Sequence, residues 1–279
     1  MSKSNGRSEY YRNDSGSFSI QLGDSLSLLT RIPSNSVDMV FADPPYFLSN
    51  GGMTCRSGKM ESVHKGTWDI SAGIEEDFKF QVRWLKECQR ILKPDGTIWV
   101  SGTRHVIFSI GFAMQGLGFK LLNDIVWYKR NPPPNLSCRY FTHSTETIIW
   151  AGKSDKSRHT FHYQLMKEWN EGKQMKSMWN ILPPRKEEKV QGRHPTQKPV
   201  ELLERIILSC TNPGDLILDP FSGSGTTGVV SAMHGRRYIG MELNPEYADL
   251  SVRRYLDVAA QVGAGEARQG VETSIGRVA

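Results

Sequence analysis

Two short motifs in this sequence carry residue types that could act on a nitrogen-containing ring. Asp43-Pro44-Pro45-Tyr46 directly follows the apolar run Val37–Ala42. A carboxylate and a backbone carbonyl at such a corner could each accept one N–H of an exocyclic amine and leave its nitrogen lone pair available. The prolines hold the corner rigid because each fixes its own φ, and the tyrosine ring offers a face for stacking. We therefore expect these four residues to bind and activate an aromatic amine.

The second motif, Asp219-Pro220-Phe221-Ser222-Gly223-Ser224-Gly225-Thr226, follows another apolar run at 216–218. A glycine-rich turn between a strand and a helix lets the backbone approach a ligand closely. Glu242 ends the next predicted strand, where a carboxylate can bind a ribose diol. The missing lysine after the turn disfavours an ATP-binding P-loop, and the spacing departs from the NAD pattern; a plain tight turn is the alternative. The predicted contacts with a nucleoside cofactor here are Asp219, Phe221, Gly223, Ser224, Gly225, Thr226 and Glu242.

Two further segments are predicted to bind the same cofactor. Residues 193–199 precede a predicted helix, and free N–H groups at a helix start could hold a carboxylate together with the Lys198 ammonium. Asp24 could accept a hydrogen bond from an adenine amine, although a helix N-cap explains it nearly as well. A proline-punctuated loop is the corresponding alternative for 193–199. These segments add His194, Thr196, Lys198 and Asp24 to the predicted cofactor contacts, with Asp43 at the reacting end.

Composition limits the class of protein. The chain has 279 residues, 38% of them hydrophobic, and a net charge of +6. No apolar run approaches the roughly 20 residues that a membrane-spanning helix needs, and the polar N-terminus is unlike a secretory signal. The four cysteines form no C-x-x-C pair, so we predict reduced thiols, no metal and a cytoplasmic location.

The positive charge is concentrated in one segment. Residues 152–193 contain ten Lys or Arg and five Asp or Glu, which gives this segment a net charge of +5. A single lysine is more often simply solvated, and Trp169 and Trp179 are more often core residues than base contacts, but the group suits a polyanion. The predicted DNA contacts are Lys153, Lys156, Arg158, Lys173, Lys176, Arg185 and Lys186, with Arg130 and Arg139 as second-rank candidates beside a proline-rich loop.

Strands and helices alternate along the chain, which is typical of an α/β fold with a doubly wound, mostly parallel sheet. We predict disordered or frayed tails at 1–16 and 262–279, a catalytic half at 17–151, a target-recognition segment at 152–193 and a cofactor half at 194–261. The predicted strands are 18–22, 37–42, 97–100, 124–128, 145–150, 216–219 and 237–242, and the predicted helices are 26–32, 78–92, 106–116, 199–210, 226–234 and 245–258.

The order of the two motifs resembles that of β-class DNA adenine-N6 methyltransferases, over residues 18–260. Within that class, residues 41–52 (FADPPYFLSNGG) and 135–147 (NLSCRYFTHSTET) are most similar to the single-strand-active second adenine methylases of DpnII-type GATC systems. The resemblance implies a circularly permuted, Rossmann-like fold with a seven-strand sheet and an inserted target-recognition region. It also implies S-adenosylmethionine as methyl donor and a flipped adenine, in GATC, as acceptor.

Other functions share parts of this pattern. Cytosine-N4 methyltransferases commonly have serine at the first position of the corner, so Asp43 favours adenine; RNA and protein-glutamine amines are less favoured substrates. A non-catalytic module that binds DNA and cofactor is a further alternative, and a nicotinamide oxidoreductase is a third. We expect a monomer or homodimer that acts on double-stranded DNA, with action on single strands left open.

Overall fold

The computed structural model describes residues 8–49, 53–56, 59–62, 66 and 69–275. Within these residues, nine strands form one sheet and two more form a separate antiparallel hairpin. The strands are β1 (Glu9–Arg12), β2 (Phe18–Leu22), β3 (Val37–Ala42), β4 (Met53–Arg56), β5 (Lys59–Ser62), β6 (Leu92–Gly102), β7 (Lys120–Tyr128), β8 (Thr145–Gly152), β9 (Met178–Asn180), β10 (Leu216–Asp219) and β11 (Arg237–Glu242). The helices are α1 (Ser25–Leu29), α2 (Ile74–Ile91), α3 (Ile107–Gly116), α4 (Tyr163–Trp169), α5 (Val200–Cys210), α6 (Thr226–Met233) and α7 (Pro245–Ile275).

The sheet order is β1-β2-β11-β10-β3-β6-β8-β7-β9. All pairings from β2 through β11, β10 and β3 to β6 are parallel. β8 is antiparallel to both β6 and β7, and β9 runs parallel to β7 at one edge. The predicted α/β class with a mostly parallel sheet is therefore confirmed, and β1 and β9 extend the implied seven-strand sheet at its two edges.

Helices cover both faces of this sheet, because its central strands are apolar on both sides. In β3, Val40 and Ala42 pack into a core with α1, α2 and α3, whereas Met39 and Phe41 pack into a second core with α5, α6 and α7. This alternation follows from the two-residue period of a strand. No helix among the described residues is long and apolar enough to cross a membrane.

The two motif-bearing strands lie side by side although they are far apart in the sequence. Met39 and Val40 of β3 pair with Ile217 and Leu218 of β10. Chain order proceeds from β3 to one side, through β6, and from β10 to the other side, through β11, so a topological switch point lies between them. Ligands of open α/β sheets bind outside the carboxyl ends of the strands at such a point. We call the end where β3, β6 and β10 terminate the catalytic end, and the opposite end the far end.

Two predicted tails have regular structure in part. Residues 9–12 form the edge strand β1, because the Tyr11 ring packs against Phe18 and Tyr255 and fixes the segment to the sheet. Helix α7 runs to Ile275, past the predicted end at 258.

The predicted target-recognition segment is partly integrated into the sheet rather than separate from it. Its β9 adds the last strand, and Trp179 in that strand is buried against Trp99 at a ring distance of 6.2 Å. The expected core role of Trp179 is confirmed, whereas Trp169 is 46% exposed.

Candidate active site

Both sequence motifs line one cavity at the catalytic end of the sheet. The cavity forms where β3 and β10 end next to each other, and apolar side chains such as Phe80 and Leu243 complete its wall. Fourteen of the predicted residues line it: Asp24, Asp43, Pro44, Pro45, Tyr46, His194, Thr196, Lys198, Asp219, Phe221, Gly223, Ser224, Thr226 and Glu242. The amine corner and the cofactor turn are therefore brought together as expected.

The Asp43 carboxylate is held from two sides. Its Oδ1 accepts a hydrogen bond from the Tyr46 hydroxyl at 2.6 Å, and its Oδ2 accepts one from the Lys198 ammonium at 2.6 Å. The same ammonium lies 3.5 Å from Glu146 Oε2, and Glu146 Oε1 pairs with Lys129. These contacts form an alternating chain of two carboxylates and two ammonium groups, which orients Asp43 at the cavity wall.

The charges in this chain shift the pKa values of its buried members. Burial by itself works to lower the pKa of Lys198, but the charges of Asp43 and Glu146 outweigh it and the pKa is raised. Burial works to raise the pKa of Glu146, but Lys198 and Lys129 outweigh it and the pKa is lowered. Burial and the Asp43 charge raise the pKa of Tyr46 well above its usual value, so its hydroxyl stays protonated and can donate.

The structure gives Lys198 partners that the sequence did not predict. Its ammonium pairs with Asp43 and Glu146; the residue also lines the cavity, and its contact with a carboxylate of the cofactor stays a prediction. The Lys198 side chain is 7% exposed, and a buried charge needs protein partners to offset its desolvation. Glu146 was not predicted, and its signal in the sequence was weak: one carboxylate at the start of an otherwise apolar strand.

Asp69, which was also not predicted, supports the catalytic corner. Its fully buried carboxylate accepts hydrogen bonds from the backbone N–H groups of Tyr46 at 3.0 Å and Leu48 at 3.2 Å. Phe47, which lies between them, has a φ of 56°. Side chains rarely adopt this left-handed conformation, so the corner needs outside hydrogen bonds to hold its shape. No motif surrounds Asp69, and the sequence carried no signal for it.

Glu242 closes the cofactor turn. Its Oε2 accepts the Gly223 N–H at 2.8 Å, and its Oε1 accepts the Asn244 N–H at 2.8 Å. Gly223 has a φ of 53°, and a Cβ there would lie 3.1 Å from the His194 ring, so both its conformation and its surroundings favour glycine. Burial raises the pKa of Glu242. The carboxylate lies where the sequence predicted, at the end of β11 and in the cavity wall.

Asp219 shapes the same turn. Its Oδ1 accepts the Phe221 N–H at 3.0 Å, and its Oδ2 accepts the Thr227 hydroxyl at 2.6 Å. Burial raises the pKa of Asp219 to about 7. Its two oxygens thus join the end of β10 to the start of α6, and the side chain also forms part of the cavity wall.

Gly225 is not among the described residues that line the cavity, and its contact with the cofactor stays a prediction. It has a φ of 70°, and a Cβ at this position would lie 2.7 Å from the Ser251 Cβ on α7. Ser251 donates to the Gly223 carbonyl at 2.9 Å, and Arg254 donates to the Ser224 carbonyl at 2.6 Å. Gly225 therefore lets α7 pack closely against the turn and support it from behind.

Asp24 and the segment around His194 complete the cavity wall. Asp24 caps α1, because its Oδ2 accepts the Ser27 N–H at 2.9 Å and the Ser27 hydroxyl at 2.8 Å. This is the alternative that the sequence left open, and a contact with the cofactor stays a prediction. The Thr196 N–H donates to His194 Nδ1 at 3.3 Å, and the His194 ring packs against Tyr247 at 4.3 Å.

Part of the predicted DNA surface lies at the far end of the sheet. Because β8 runs antiparallel to β6, Thr147 pairs with Gly102 at the catalytic end, whereas Gly152 pairs with Thr97. Five residues at about 3.3 Å each put Gly152 roughly 17 Å away from that end. Lys153, Lys156 and Arg158 follow Gly152 in the chain.

Hydrogen bonds keep this segment at the far end. The Lys153 ammonium donates to the Leu92 carbonyl at 2.5 Å, and the Arg158 N–H donates to Asp95 Oδ1 at 2.8 Å. Lys153, Lys156 and Arg158 therefore lie away from the cavity, and their predicted contact with DNA stays a prediction. The sequence could not reveal this, because net charge says nothing about which end of a strand a residue follows.

Other basic candidates lie at the catalytic end. Tyr128, the last residue of β7, pairs with Asn180 of β9, and Arg130 Nε donates to Asn180 Oδ1 at 3.0 Å. Arg185 follows β9, and its N–H donates to Glu188 at 3.1 Å. Contacts with DNA stay predictions for Arg130, Arg139, Arg185 and Lys186 at this end, and for the exposed Lys173 and Lys176 before β9.

Comparison with known proteins places this arrangement in a family. The model of a DNA methylase family (N6/N4 methylases) matches residues 37–253. The type II methyltransferase M2.LlaDCHI of Lactococcus lactis subsp. cremoris is 56% identical over 232 residues, which cover 83% of this chain and 86% of the relative. The type II methyltransferase M2.DpnII of Streptococcus pneumoniae is 54% identical over 232 residues, which cover 83% and 87%.

Solved structures share the fold. The M1.HpyAVI–SAM complex is 25% identical with a TM-score of 0.61, and the match covers 85% of this chain and 99% of that one. The PvuII DNA methyltransferase, described as cytosine-N4-specific, is 23% identical with a TM-score of 0.70, and the match covers 92% and 95%.

Proposed function

Because the chain belongs to the N6/N4 family of DNA methylases, we propose that it transfers a methyl group from S-adenosylmethionine to the N6 amine of adenine in DNA. The observation that carries the proposal is the Asp43 carboxylate, which shares one cavity with the glycine-rich turn and Glu242. A carboxylate beside a nucleoside site is the arrangement that activation of a base amine requires.

The cavity fits S-adenosylmethionine. The backbone at Gly223 lines the cavity, and the Glu242 carboxylate beside it suits a ribose diol. Asp24 lines the cavity wall, and we infer that it accepts from the adenine amine while Phe221 packs against the flat ring. The cofactor, when bound, supplies an activated methyl group to a nucleophilic nitrogen.

The protein positions the acceptor amine and accepts its surplus proton after the methyl group has been transferred. Asp43 accepts one N–H of the adenine amine and the Pro44 carbonyl accepts the other, which favours a pyramidal nitrogen with an available lone pair. Tyr46 and Lys198 keep the Asp43 carboxylate in place. Methylation leaves an extra proton on the nitrogen, and Asp43 Oδ accepts it and releases it to water. Correct alignment of donor and acceptor supplies much of the remaining rate enhancement.

The carboxylate at position 43 favours adenine over cytosine. The PvuII enzyme shares the fold at 23% identity, and a shared fold does not determine which base is methylated. The relatives named after DpnII and LlaDCHI, at more than 50% identity, support a type II modification enzyme. We propose GATC as the site, the cytoplasm as the location, DNA as the partner and either a monomer or a homodimer as the active form.

The decisive experiment is methyl transfer from tritiated S-adenosylmethionine to unmethylated DNA, followed by nucleoside analysis. Matched single- and double-stranded oligonucleotides with GATC, and with the same bases scrambled, serve as substrates. We expect N6-methyladenine in the GATC oligonucleotides alone. N4-methylcytosine would contradict the proposed base, and tight cofactor binding with no product on any DNA would contradict the activity.

Replacing Glu242 by alanine is expected to weaken cofactor binding by about 10- to 100-fold, because a charged hydrogen bond contributes on the order of 1.5–3 kcal/mol. Titration calorimetry with S-adenosylhomocysteine measures the change. Glu246→Ala is the matched control, because Glu246 is an exposed glutamate four residues later, and it should bind normally. Equal affinity of Glu242→Ala and the wild type would remove Glu242 from the site.

A further inference from the structure

The loop between β7 and β8, residues 129–144, lies at the catalytic end of the sheet and carries exposed apolar side chains. Leu136 is 45% exposed, Tyr140 is 59% exposed and Phe141 is 95% exposed. The three side chains lie within six residues of one another in the sequence, and exposed apolar surface that is contiguous marks binding sites. The proposed chemistry leaves it unused.

Internal hydrogen bonds shape this loop. The Lys129 N–H donates to the Ser144 carbonyl at 2.7 Å and closes its base. Near its tip, the Asn135 side chain donates to the Tyr140 carbonyl at 2.5 Å and accepts the Ser137 N–H at 3.1 Å. Asn135 thereby joins the two sides of the loop tip. The exposed Phe141 directly follows Tyr140, whose carbonyl is fixed by this hydrogen bond.

The base of the loop is tied to the catalytic carboxylate. Lys129 pairs with Glu146, Glu146 with Lys198, and Lys198 with Asp43. Phe141 lies three residues before Ser144, so it can be no more than about 10 Å from the loop base. A duplex whose target base enters the cavity would therefore pass within reach of the Phe141 ring.

The charge of the loop selects the partner. Residues 129–144 contain three basic residues, Lys129, Arg130 and Arg139, and no acidic residue. A loop that combines an apolar tip with positively charged residues suits a polyanion that also has flat apolar surfaces. DNA, with its phosphates and stacked nucleobases, fits this description. An uncharged apolar protein surface would gain no electrostatic attraction from these three basic residues.

We propose that Phe141 inserts into the DNA duplex and stacks in the space that the flipped adenine leaves. Flipping a base breaks its pairing and stacking, and an aromatic side chain in the gap restores part of the lost stacking. This inference rests on the proposed function, because it applies to a base that leaves the helix.

The test compares substrates that differ in the cost of flipping. For Phe141→Ala, we expect kcat/KM on the fully paired duplex to fall about 10- to 100-fold. On single-stranded DNA, and on a duplex with the target adenine mispaired, the fall should be less than about threefold, because little stacking is lost there. Fluorescence of 2-aminopurine at the target position should rise when the wild type binds the duplex, and rise less with Phe141→Ala.

Two further variants sharpen the result. Phe141→Trp should restore duplex activity, because it keeps an aromatic ring. Phe112→Ala is the matched control, because this α3 phenylalanine is 68% exposed and should behave as the wild type on every substrate. Equal losses on all substrates, or no loss on the duplex, would overturn the insertion role. Failure of the proposed function would instead appear as a wild type that methylates no DNA.

Discussion

Replacing Asp43 by alanine should lower kcat for methyl transfer by about 10³-fold or more while leaving cofactor affinity within about threefold of the wild type. The carboxylate is positioned by Tyr46 and Lys198 to accept from the target amine. Alanine removes that acceptor, and the amine lone pair stays delocalised into the ring. Tritium transfer under single-turnover conditions measures the rate, and calorimetry with S-adenosylhomocysteine measures the affinity.

The controls for Asp43 separate chemistry from folding. Asp155→Ala removes an exposed aspartate near the far end and should keep full activity. Asp43→Asn keeps the size of the side chain and one acceptor oxygen, so a rate between those of alanine and the wild type is expected. A fully active Asp43→Ala enzyme would remove this carboxylate from the catalytic mechanism.

Replacing Lys198 by methionine should lower the free energy of unfolding by about 3 kcal/mol. The Lys198 side chain is 7% exposed, and removal of its ammonium leaves the Asp43 and Glu146 carboxylates without their shared cation. Breaking a buried ion pair in this way costs on the order of 3–5 kcal/mol. The lower end is expected because Tyr46 and Lys129 still serve the two carboxylates. Urea denaturation followed by tryptophan fluorescence measures the change.

Lys93 provides the matched control, since its ammonium also pairs with an aspartate, Asp38, at 2.7 Å. That lysine is 43% exposed, and Lys93→Met should lower stability by about 1 kcal/mol or less. The double variant Lys198→Met/Glu146→Gln should recover part of the loss of the single Lys198 variant, because it removes one stranded charge. Equal losses for Lys198→Met and Lys93→Met would show that the buried network adds no stability.

The structure also explains how one buried network serves both stability and chemistry. Lys198 joins the segment before α5 to the ends of β3 and β8, through Asp43 and Glu146. The same contact holds the catalytic oxygen in the cavity wall. A loss of stability and a loss of rate should therefore accompany each other in variants of Lys198.

The sequence by itself determined the α/β class, the sheet strands at the two motifs and most residues of the cavity. These features depend on local patterns. An apolar run indicates a buried strand, a proline after it fixes the backbone, and a glycine permits the tight turn that a ligand needs. Asp43 and Glu242 could be identified because each directly follows or ends such a strand.

The tertiary structure alone decided which distant residues meet. Lys198 pairs with Asp43 and with Glu146, and Asp69 accepts the Tyr46 N–H, although the members of each pair are far apart in the sequence. The antiparallel course of β8 likewise carries Lys153 to the far end, whereas the loop with Phe141 stays at the catalytic end. Strand direction and burial set these partners, because a buried charge must find its counter-charge wherever the packed chain places one.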